Sequence, residues 1–234
     1  MIAVTDLIQS SYLPGNYYAP DVYVQGDFEA GLIENRQGHR LLALPEAFLQ
    51  SIYAGLEDEI GPAAGLVLFR CGHWWGKSFY RRFIGEMNEY YNKPIADMEM
   101  VELLQCMKQC WKAHGWGKFD LNLNHFQQGF LVAKTQNSTF AKSAKQDSRP
   151  MCFAEAGILS AFFSQLTGRN LHCVQTQCES MGAECNYFVL GLPERLMPAE
   201  AGVEEKETHS AIMARLCPQQ QASTDEESSS EALF

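Results

Sequence analysis

Three cysteines in the stretch 151–192 (MCFAEAGILSAFFSQLTGRNLHCVQTQCESMGAECNYFVLGL) are the residues whose type and spacing best suit chemistry. Cys152 opens a helical pattern, and Cys178 and Cys185 bracket a Met-Gly turn between two apolar segments. Thiolates on adjoining elements can hold Zn²⁺, which favours tetrahedral sulfur and nitrogen coordination. Cysteine is also among the most often buried residues, so the same trio reads equally as core packing. A second group, Cys71-Gly72-His73-Trp74-Trp75-Gly76-Lys77, sets two indoles and an imidazole between glycines. Flat apolar surface, close backbone approach and one potential axial ligand suit a planar macrocycle such as haem or chlorophyll. His125, in Asn122-Leu123-Asn124-His125-Phe126, is an alternative ligand. The bland reading of the same residues is core indoles and a histidine at a helix start. Cys106 and Cys110, one helical turn apart beside Met107 and Trp111, read as a packed apolar face.

Those groups need a framework, and the periodicity supplies one. An extended N-terminal arm, residues 1–20, carries Tyr12, Tyr17 and Tyr18 among Pro14, Gly15 and Pro20. A hairpin is expected from Phe28–Ile33 and Arg40–Leu44 around a turn at Asn35 and Gly38. Pro45 starts a helix in which Phe48, Leu49, Ile52, Tyr53 and Leu56 recur at helical spacing, with Gly61-Pro62 as its stop. A long helix then runs from about Ala64 to Tyr91, and another from Pro94 through Trp111. Trp116–His125 and Gly129–Thr135 alternate like paired strands, and residues 136–149 read as an exposed linker. The helix Cys152–Thr167 and strands Leu171–Gln177 and Cys185–Leu190 complete the domain. The expectation is an α+β fold, an antiparallel sheet flanked by helices, over residues 21–195, followed by a disordered acidic tail at 196–234.

Composition narrows the function. From Pro198 onward eight acidic residues face two basic ones, so that of the formal −10 the tail carries −6 and the body −4. Nucleic acid is excluded as an expected partner, because its binding needs clustered Lys and Arg. No apolar run approaches the ~20 residues of a membrane span, and the N-terminal stretch MIAVTDLIQSSYLPG has no basic signal-like region. A cytoplasmic protein, or one peripheral to a membrane, with reduced thiols is expected. No Ser/His/Asp set, nucleotide-binding glycine loop or carboxylate pair of catalytic spacing stands out, which leaves enzymatic activity uncertain and less expected than binding.

The helix with a small-residue face, the Gly turn, the strand ending in Cys178, the Met181-Gly182 turn and Cys185-Asn186-Tyr187-Phe188 together resemble the signature of the 4-vinyl reductase domain family. The resemblance spans about residues 30–192 and is specific over the last forty of them. It implies a free-standing ligand-binding domain, of the fold also used in nitric-oxide-signalling and Golgi-transport proteins, with a pocket for a hydrophobic or planar molecule. In aromatic-sensing members zinc is held at positions that correspond here to Cys152, Cys178 and Cys185, but their glutamate position is Gln175 in this chain. Glu179, His172, Cys173 or water is then the candidate fourth ligand. The implied ligand-binding set is His73, Trp74, Trp75, Trp116, His125 and Phe130. The implied role is a binding or assembly protein that holds a chlorophyll precursor or other tetrapyrrole, at or near a photosynthetic membrane. Its expected partners are photosystem or pigment-synthesis proteins, or a second copy of itself. A reductase component and a sensor of small aromatics or lipids are the alternatives.

Overall fold

The computed structural model describes residues 15–142 and 149–218. Its centre is a four-stranded antiparallel sheet in the order β3-β4-β6-β5, made of β3 (Lys118–Asn122), β4 (Leu131–Gln136), β5 (His172–Gln177) and β6 (Asn186–Gly191). Alternation along these strands sends Leu131, Ala133, Cys173, Phe188 and Leu190 to one face and Val132, Val174 and Val189 to the other. The first face meets α2 (Ala64–Tyr91), α3 (Met100–Ala113) and α4 (Phe153–Thr167), and it holds the larger core. The second is covered by α5 (Pro193–Glu204) and α6 (His209–Leu216). The fold is thus α+β, as read from the sequence.

Helices α2 and α4 lie in near contact because glycine lines both sides of their crossing. A Cβ on Gly72 would come within 2.0 Å of the Ala154 carbonyl oxygen, and one on Gly157 within 2.1 Å of that of Phe69. Only a hydrogen in place of the side chain permits that approach. Strand β5 carries one extra residue: Gln175 pairs with Phe188, but Gln177 pairs with Tyr187. Thr176 reaches His209 on the α5/α6 side, the side that Val174 also faces, and beyond it the bulge shifts the alternation by one position, so that Gln175 and Cys178 both face α4.

Before the sheet, α1 (Glu46–Ile60) and α2 follow the expected boundaries, with Gly61 and Pro62 between them. Tyr17 and Tyr18 of the arm are buried, and the Tyr18 hydroxyl donates to Glu86 Oε2 at 3.0 Å. Asn35 Nδ2 donates to the other Glu86 oxygen at 3.1 Å, which ties the hairpin to the same point of α2. Residues 1–14, including Tyr12, fall outside the described chain.

Four expectations need correction. The hairpin is β1 (Val24–Asp27) with β2 (Leu32–Asn35), not Phe28–Ile33 with Arg40–Leu44. Asp27 Oδ1 accepts from the amides of Glu29 and Ala30 and fixes the turn there, while Arg40 makes only a single bridge to Glu34. The helix expected from Pro94 is a short 3₁₀ turn, Ile95–Asp97, followed by α3, because Glu99 and Glu102 form a reciprocal cap that starts the helix anew. In the segment taken as exposed linker, Ser138 and Ala141 are buried, and Thr139–Lys142 forms a helical turn. The tail expected as disordered from residue 196 is helical to Leu216, since Leu196, Ala199, Ile212, Met213 and Leu216 bury against Val132, Val174 and Val189. Residues 219–234 lie outside the description.

Candidate functional site

A groove of about 740 Å³ runs between the first half of α2, α4, the start of β5 and α5. That volume is within the range of small-molecule sites. Leu66, Phe69, Arg70, His73 and Trp74 form one stripe of α2, at spacings of three and four that put them on a single helix face. Phe153, Ala156 and Ser160 do the same on α4. Gly65 opposes Phe153, and a Cβ there would stand 2.9 Å from its ring, so this glycine makes room for the aromatic wall. Strand β5 contributes His172 and Gln175, and α5 contributes Glu200 and Val203.

Polar side chains, among them Arg70, His73, His172 and Glu200, share the groove with its aromatic wall. His172 Nε2 lies 3.4 Å from Glu200 Oε1. Phe69 sits between the two imidazoles, with ring centroids 5.0 Å from His172 and 6.3 Å from His73. His73 Nδ1 is buried and has no hydrogen-bond partner among the described residues. Burial, then Lys77 and His172, push the His73 pKa down; burial also lowers that of His172, against the pull of Glu200. Both rings are therefore neutral at pH 7, each with one donor and one acceptor nitrogen. Trp74 stands 72% exposed at the groove's edge, with Lys77 Nζ 5.5 Å from its ring centroid.

Of the six ligand candidates from the sequence, His73 and Trp74 line this groove. Trp75 stacks on Phe79 at 5.0 Å and meets Trp116 edge-on, and Trp116 in turn contacts Trp111 and His114 within the aromatic core. Phe130 is buried on the opposite sheet face, under the Arg195 guanidinium. His125 precedes the turn Phe126–Gln128, with its Nδ1 buried and, among the described residues, unpartnered. The structure does not bring these four to the groove. Sequence reasoning passed over Phe69, Phe153 and Val203 as groove residues, although the stripe 66-69-70-73-74 could have been found by extending helical spacing from His73.

At the other end of β5, two of the three candidate metal ligands meet. Cys152 Sγ and Cys178 Sγ are 3.5 Å apart and fully buried. Hydrogen bonds from Cys152 and from Ser180, whose Oγ lies at 2.9 Å, hold the Cys178 thiol down to about 6, against burial, while burial pushes Cys152 well up. Cys185 Sγ instead accepts from Gln177 Nε2 at 3.6 Å. Gln175 Oε1 accepts the Cys152 amide at 2.9 Å. Glu179 accepts from the Asn137 and Ser138 amides at 2.6 and 3.0 Å and from Asn186 Nδ2 at 2.9 Å. Cys173 is buried and protonated, and His172 faces the groove. Among the described residues no three His, Cys, Asp or Glu side chains converge as a metal requires. The donors, as placed, form a thiol pair inside a hydrogen-bonded network rather than a tetrahedral set. Beside this network, Glu155 is fully buried and accepts from Ser138 Oγ at 2.8 Å and Trp111 Nε1 at 3.5 Å. Among the described residues no helix is long and apolar enough to cross a membrane.

Residues 131–192 match the family model of the V4R domain. The phenol-responsive sensory domain of the transcription activator PoxR, solved with phenol, is similar in structure, with a TM-score of 0.61 at 15% identity over 79% of this chain and 92% of that one. A vinyl-4-reductase family protein from Methanocaldococcus jannaschii gives 0.41 at 15% identity, over 64% and 82% of the two chains. Subunit 3 of a trafficking protein particle complex from Naegleria fowleri, covalently bound to palmitic acid, gives 0.44 at 11%, over 63% and 94%. No curated protein matches in sequence. At these identities the PoxR likeness is one of fold.

Proposed function

From the premise that this chain carries a V4R domain, we propose that its groove binds a small, flat, mostly apolar organic molecule with one hydrogen-bonding group. The observation that carries this reading is His73 Nδ1, buried and without a hydrogen-bond partner among the described residues, beside the apolar side chains of Leu66, Phe69 and Phe153. An unsatisfied buried nitrogen costs about 1–3 kcal/mol. A ligand hydroxyl would satisfy it while its ring packs against Phe69 and Phe153. Phenol, the compound with which the PoxR domain was solved, combines those two features and is the natural first probe. A tetrapyrrole is a finer version of the same reading, with His73 as axial ligand.

The test is titration of the protein with phenol, toluene and haem, followed by Trp74 emission and, for haem, the Soret band. Saturable binding of phenol in preference to toluene, with the preference lost in His73→Ala, is expected. A Soret shift that His73→Ala removes would select the tetrapyrrole version. Saturable binding that neither His73→Ala nor a groove-filling Val203→Trp alters would place the ligand elsewhere.

A further inference from the structure

The pair Cys152 and Cys178 has no part in the groove's contacts with a ligand. All eight cysteines are free thiols, and these two lie 26 positions apart in the chain yet 3.5 Å apart in space. Cys152 is held by its backbone, since its amide donates to Gln175 at the start of α4. Cys178 is held by the bulged end of β5 and by Ser180. The third thiol is turned to Gln177, Glu179 is spent on two amides and Asn186, and Glu155 accepts from Ser138 and Trp111. Two sulfurs already in contact, with no third His, Cys, Asp or Glu ligand converging on them among the described residues, are arranged for a bond to each other: the separation must shrink to about 2.05 Å. Cys178 is itself fully buried but directly precedes the turn Glu179–Met181, so peroxide reaches it when that turn opens.

We propose that Cys152 and Cys178 are a redox pair that closes to a disulfide with hydrogen peroxide as oxidant. The Cys178 sulfur takes one peroxide oxygen as the O–O bond breaks, giving a sulfenic acid and water. Cys152 Sγ attacks that sulfur, the S–S bond forms and the S–O bond breaks. The departing hydroxide leaves as a second water with the Cys152 proton. Two thiols lose two electrons and peroxide gains them. Closure draws the start of α4 toward the end of β5. Gln175, which accepts from Cys152, also lines the groove, as does Phe153, so oxidation changes the groove's wall; this last part rests on the groove being the ligand site.

The experiment uses the full chain, reduced and then treated with peroxide, followed by intact mass and non-reducing peptide mapping. A mass lower by two hydrogens, a Cys152–Cys178 linked peptide and full reversal by dithiothreitol are expected. Cys178→Ser and Cys178→Ala should each abolish the link. Pairing among other cysteines, or over-oxidation of Cys178 without a link, overturns the proposal. So does stoichiometric zinc in the reduced protein that shields both thiols. Phenol titrated into both forms should show an affinity change of about fivefold. Equal affinities overturn the coupling to the groove. Absence of phenol binding in both forms counts against the groove reading alone, because the mass readout does not depend on it.

Discussion

The two ends of β5 treat polar atoms in opposite ways. Around Cys178, Asn186 donates to Thr135 Oγ1 and Glu179 and accepts from the Glu179 amide and from Gln175, so the whole corner is closed on itself. Around His172, the groove leaves His73 Nδ1 without a partner among the described residues and an indole largely in water. Both regions are built on α4 and the same strand, and Gln175 belongs to both. The difference separates structure from binding. A closed network specifies how β5, β6 and α4 meet and has nothing left to offer a ligand, whereas an unpaired buried nitrogen beside aromatic rings is unfinished until something enters.

That contrast can be tested from its strongest side to its weakest. Asn186→Leu would remove four bonds at once, to Thr135, the Glu179 carboxylate, the Glu179 amide and Gln175, and urea unfolding should show a loss of about 3 kcal/mol or more. Glu155, beside that corner, gives a pH signature. Burial raises its pKa from 4.5 to about 8, against hydrogen bonds from Ser138 and Trp111. The folded chain thus keeps a proton that the unfolded chain releases, so this contribution is intact below pH 4.5, falls as pH rises, and levels off above about 8. Unfolding followed from pH 5 to 8 should show a slope of up to about 1.4 kcal/mol per pH unit that Glu155→Gln flattens. In the groove the sign of the comparison reverses: His73→Ala should leave stability within about 0.5 kcal/mol. It should weaken phenol by roughly fivefold in calorimetric titration, the worth of about one hydrogen bond. The smallest effect is expected from Glu200→Gln. Its pair with His172 is half exposed, and thermal melting should register at most about 0.5 kcal/mol.

The sequence made the fold class and the thiol pair legible and the groove only in part. Helical spacing identified α2 and α4, and alternation identified the sheet, because large apolar residues mark those faces. Helix α5 hides the same information. Its buried positions are Leu196, Ala199 and Gly202, two of them small, and Pro198 lies inside it. With that helix taken for tail, Glu200 and Val203 could not be placed and one wall of the groove was invisible. Trp75 and Trp116 read as ligand surface because indole serves both roles, and here they pack on Phe79 and on each other. Cys185 follows the motif in sequence yet bonds to Gln177, since Asn186 occupies the centre of the network.

The bulge in β5 makes the thiol corner a matter of parity. In an unbroken strand, residues three apart point to opposite sides, and Gln175 and Cys178 are three apart. They share a side because one residue too many lies between Phe188 and Tyr187's partners. Deleting a single codon there would leave every surviving amino acid unchanged in kind. It would also remove the bulge and set Cys178 two positions after Gln175 on a regular strand, still on the α4 side, whereas one added residue not taken up by the bulge would turn Cys178 toward α6, away from Cys152.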